Sequence, residues 1–224
     1  MQLQKSTAWS LIVGSLGITI GFMAFAALVG LFDDGGTATE NAQKIVDNYD
    51  LARVFFSLLG MAMVLLIFGW ISFSREIDPD GSVMSYTRLL LLPGVALTIA
   101  GMGLWLGLGT AVDVGVNVTL NQVGDGISTI GDIFLDVGIL IIAIVAIRKN
   151  TVTTLVKILL ALVALDSILG LGFIVAGMDG SAAEDADFLG WIVFTLATAG
   201  IGIQSLVAKE SSSGGLFTYG EKTE

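Results

Sequence analysis

Six long apolar runs separated by shorter polar stretches organise the 224-residue chain, at about 8–32, 51–73, 87–110, 127–147, 155–176 and 188–208. Each is long enough to cross a hydrocarbon layer about 30 Å thick, which takes about 20 helical residues. Barrel strands do not fit, because such a strand has about 10 residues of alternating polarity. Only VDVGVNVTLNQV, 112–123, alternates that way, and it is too short and too polar on one face to span. It is expected to be a loop. Short connectors make successive helices antiparallel neighbours, so the pattern predicts an all-α, six-transmembrane-helix bundle built as three helical hairpins.

Between the first two runs, TATENAQKIVDNYDLARVFF carries a capping-box pair, Thr37 and Glu40, and apolar Ala42, Ile45, Val46 and Tyr49 at helical spacing. A short helix is expected there, lying on the membrane or running into the second span. Residues 209–224 read as a polar, flexible tail. Ala24-Phe25-Ala26 imitates a signal-peptide cleavage site, but the apolar run before it exceeds the roughly 7–15 residues of a signal core. The first run therefore counts as a span.

Charge sets the orientation. With six spans, Lys5, Arg75, Arg88, Arg148, Lys149, Lys157, Lys209 and Lys222 fall on one side, and only Lys44 and Arg53 on the other. Lys and Arg are retained in the cytoplasm, so both termini are expected there, with the chain multi-pass in the cell (cytoplasmic) membrane. Composition agrees: 54% of residues are hydrophobic and 13% charged, where a soluble domain has about a quarter charged. The net charge of −10 comes without any basic cluster, which excludes a nucleic-acid partner. Trp9, Trp70, Tyr86, Trp105 and Trp191 fall near span ends, as interfacial anchors do.

Cysteine and histidine are both absent. Thiol and imidazole chemistry, Cys/His metal sites and haem ligation are thereby removed, and neither enzyme activity nor a cofactor or metal is expected. Glu76, Asp78, Asp80 and Gly81 half match a calcium-binding loop. However, Glu stands first and Thr87 occupies the last position, where a bidentate Glu belongs. Asp78-Pro79-Asp80-Gly81 is better taken as a turn.

Two features inside the spans remain. The 29 glycines concentrate there; Gly17 and Gly21, and Gly103 and Gly107, stand four apart, a spacing that lets two helices approach closely. The second feature is GDIFLDVGILIIAIVA and LLALVALDSILGLG, which place Asp132, Asp136 and Asp166 in apolar runs with no Lys or Arg at that depth. Counted from the turn they share, Asp136 and Asp166 lie at about the same depth, about 16 Å in, with Asp132 one turn away on the Asp136 face. An unpaired carboxylate in hydrocarbon is costly, so it protonates, hydrates or binds a cation. Two close together would share a proton. The chemistry implied is passage or coupling of a small cation or proton. The alternative is a non-transporting structural or assembly subunit, its acids hydrogen-bonded to neighbouring helices. The expected surroundings are the lipid bilayer and further copies or partners in a membrane complex.

Overall fold

The structure is a computed structural model that describes residues 3–31, 38–107, 114–149, 152–176 and 181–207. Among the described residues there are seven helices: α1 (Lys5–Val29), α2 (Ala38–Asp47), α3 (Tyr49–Ile77), α4 (Ser82–Gly107), α5 (Val114–Arg148), α6 (Thr154–Ala176) and α7 (Ser181–Val207). There is no strand among the described residues. All except α2 are long and apolar enough to span a membrane, and in lipid a helix satisfies its own backbone. Thr37 and the tail 209–224 lie outside the described residues.

The six long helices close into a ring. α1 packs on α3, α3 on α4, α4 on α5, α5 on α6, α6 on α7, and α7 returns to α1. Large apolar side chains cover the outside, among them Ile20, Met61, Leu89, Ile158 and Leu196, all well exposed. A continuous apolar surface of this kind belongs in lipid. The interior is filled by Leu11, Phe25, Trp70, Leu91, Ile142 and Leu160. Trp70 is therefore no interfacial anchor; it is fully buried and stacks on Phe194 of α7, ring centroids 6.5 Å apart. Trp9 and Tyr86 do face outward.

Glycine sets the closest seams. In α5, Gly124, Gly131 and Gly138 recur every seven residues, facing Gly94 and Gly101 of α4, also seven apart. A Cβ on Gly131 would lie 2.8 Å from the Gly94 carbonyl oxygen, so the two backbones nearly touch. Between α1 and α3, a Cβ on Gly17 would come 3.2 Å from Ala62 Cβ, and one on Gly21 3.0 Å from Leu59. Gly103 departs from expectation: its Cβ would meet nothing within 4 Å. Seven residues are close to two helical turns, so a seven-residue repeat keeps nearly one face toward a partner wound slightly about it, and Gly103 is off that face. Gly107 ends α4, and its surroundings lie outside the described residues.

The segment 112–123, expected as a loop, is helical from Val114. α5 thus has 35 residues and extends well past its apolar part. α2 rests on α5 and α3, burying Ile45. Its Lys44 donates a 2.5 Å hydrogen bond to the Gly30 carbonyl, where α1 ends in a left-handed residue, φ 71°. α1 and α5 are opposite members of the ring, so α2 crosses the end of the bundle that carries the acidic connectors. The other end carries Arg75, Arg88, Arg148, Lys149 and Lys157 and is the basic end. There Lys149 pairs with Asp78 at 2.9 Å, tying the α3–α4 turn to the end of α5. Asp78 is thus engaged by a cation of the chain itself.

Candidate functional site

The three intramembrane aspartates are half-buried, and each enters a different seam. Asp132 faces α4. The Thr98 hydroxyl has one proton to give and shares it between the Gly94 carbonyl at 3.1 Å and Asp132 Oδ1 at 3.2 Å. Asp136, one turn further along α5, faces α6: its Oδ2 lies 2.9 Å from where a Cβ on Gly170 would stand. Asp166 of α6 turns to α7, its Oδ1 2.5 Å from the Cβ position of Gly190. The missing side chains of Gly170 and Gly190 make the room these carboxylates occupy.

Asp136 and Asp166 therefore reach their neighbouring helices at different glycines, Gly170 of α6 and Gly190 of α7. The Asp136 carboxylate is level with Gly170, one turn from Asp166 along α6, because a helical side chain leans toward its own N-terminus. The acids form a staircase, Asp132 to Asp136 to Asp166, from the acidic end inward, the first step about 6 Å along α5 and the second at least as long. Among the described residues no three acidic side chains gather as metal ligands would.

Hydroxyls continue the series. Beyond Asp166, Thr195 of α7 and Thr19 of α1 are joined by a 2.6 Å hydrogen bond. Thr198 and Ser15 are buried further toward the basic end. At that end Thr7 donates to Glu76 Oε1 at 2.5 Å, and the Gln4 backbone N–H donates to Oε2 at 2.9 Å. Glu76 is only 9% exposed.

Sequence reasoning missed Glu76, which it weighed only as the first position of a half-matched calcium loop. A signal was available in α1. A helix start leaves orphan N–H groups, yet Gln4 makes no side-chain cap and the first turn has no acid. An acceptor from another element fits there, and Glu76 supplies it from α3.

No known protein family, curated protein or solved structure matches the chain.

Proposed function

We propose that this multi-pass protein moves or couples protons across the cytoplasmic membrane, both termini inside, along the carboxyl and hydroxyl groups in its helix seams. One observation carries the proposal: three carboxylates step inward through successive seams, and the hydroxyls and Glu76 extend the series to the basic end. A bound metal cation wants several oxygens around one centre, whereas a proton needs only donors and acceptors in sequence. The acids are spread out, which supports the proton. Intramembrane carboxylates commonly form such relays. The orientation rests on the Lys and Arg bias. No catalysed reaction, cofactor or second protein is needed.

The runner-up, a structural or assembly subunit, is favoured by the glycine seats at 170 and 190, since a carboxylate wedged there would lock a seam without moving anything. Proteoliposomes carrying an internal pH dye separate the two. Under an imposed membrane potential, Asp136→Asn and Asp166→Asn are expected to lower proton flux at least tenfold with the melting temperature nearly unchanged. Exposed Asp50→Asn is expected to leave flux intact. Absence of flux in the parent protein, or lost stability at unchanged flux, would give the structural role its place.

A further inference from the structure

Several helical hydroxyls in this bundle return their proton to the carbonyl four residues back. Ser15 donates to Leu11, Thr87 to Val83 and Ser205 to Ile201, at 2.6–2.8 Å. Ser167 and Thr198 do not. Their oxygens are buried, and no protein group among the described residues pairs with them; the indole Nε1 of fully buried Trp70 is in the same position. These groups come from α6, α7 and α3. A buried polar group left unpaired is costly, and native proteins meet the cost with an ordered water that makes two to four hydrogen bonds.

Their placement is not scattered. Trp70 stacks on Phe194, and Thr198 is one turn from Phe194 on the same face of α7. Ser167 adjoins Asp166, which lies against Gly190. From the level of Gly190 to Thr198 is about 12 Å along α7, with the Thr19–Thr195 pair between. Two or three waters at about 2.8 Å spacing, alternating with that pair, cover most of such a distance.

We infer that ordered water occupies the interior between α6, α7 and α3, held by Ser167, Thr198 and the Trp70 indole, and joins Asp166 to the hydroxyls nearer the basic end. As a step in proton movement this rests on the function proposed above. As a hydration site it stands on the unpaired groups alone.

Hydroxyl-radical footprinting by brief X-ray pulses, on the full chain in lipid nanodiscs, reads the site directly, because a buried ring is oxidised only where water touches it. Trp70, 0% exposed, is expected to be modified several times faster in the parent protein than in the double variant Ser167→Ala/Thr198→Val, which removes two of the groups that hold the water. Phe25, equally buried but packed on Phe55 and Phe56, stays unmodified in both proteins. The sign of a stability change gives a second measurement. Thr198→Val keeps the shape, so a dry, unpaired hydroxyl makes the Val protein melt higher, and a water-bonded one makes it melt lower. Trp70 oxidation indistinguishable between parent and double variant, or a higher melting temperature for Thr198→Val, would overturn the inference. Footprinting of Trp70 without proton flux would retain the hydration site and defeat the proposed function.

Discussion

Gly131 sits where a Cβ would lie 2.8 Å from both the Gly94 carbonyl oxygen and the Thr98 amide nitrogen. Backbone atoms cannot step aside as a flexible side chain can. Gly131→Ala is therefore expected to force α4 and α5 apart and cost about 1–3 kcal/mol, the usual toll of overpacking. It would also disturb the Thr98–Asp132 hydrogen bond in the same seam. Gly103→Ala meets open space, so it should be neutral or gain up to about 1 kcal/mol from helix propensity. Unfolding of the two variants in detergent checks the pair, and equal effects would mean that the seam is misplaced. At this scale the sequence was legible where chemistry stood out against its surroundings. Asp132, Asp136 and Asp166 are conspicuous in apolar runs. The seam glycines were harder: a four-residue spacing picked out Gly103 and Gly107, whereas α5 repeats every seven. Glu76 stayed hidden because its role is set by α1, sixty-nine residues from Thr7.

At the scale of elements, α2 was readable from the spacing of Ala42, Ile45 and Val46, but its destination was not. Its amphipathic face gives a helix with something to bury; only tertiary contact reveals that the something is α5. Residues 112–123 misled for a related reason. Alternating polarity is a strand pattern, yet from Val114 the chain is helical and continues into the apolar part of α5. Lys44 fastens α2 to the end of α1. Lys44→Met keeps much of the apolar stem and removes the donor, at an expected cost of about 1 kcal/mol for the lost bond. Amide hydrogen exchange in α2 should then quicken about fivefold, with protection in the six long helices retained. Exchange unchanged in α2 would show that packing alone holds it across the acidic end.

For the whole molecule, the hairpins follow from short connectors, but nothing in the linear pattern says that the last span closes on the first. Ring closure depends on α1 meeting α7, the pair most distant in sequence. Their hydroxyls at Thr19 and Thr195 are 2.6 Å apart, and a glycine, Gly202, admits the Ala8 carbonyl and the Ile12 side chain to α7. The proposed proton movement depends on closure, because the series of polar groups passes from α7 to α1 and so to Glu76. A ring open at this seam would stop the series at Thr195. The native chain has no cysteine, so Thr19→Cys together with Thr195→Cys gives one unambiguous pair. Mild oxidation is expected to join the two within one chain, seen as a faster-migrating monomer that reverts on reduction. Hydroxyls in hydrogen-bond contact place the Cβ atoms near the roughly 3.5–4.5 Å that a disulfide spans. If oxidation yields only dimers of two chains, α1 and α7 do not face each other in one molecule, and the series of groups from Asp132 to Glu76 has no continuous route through the bundle.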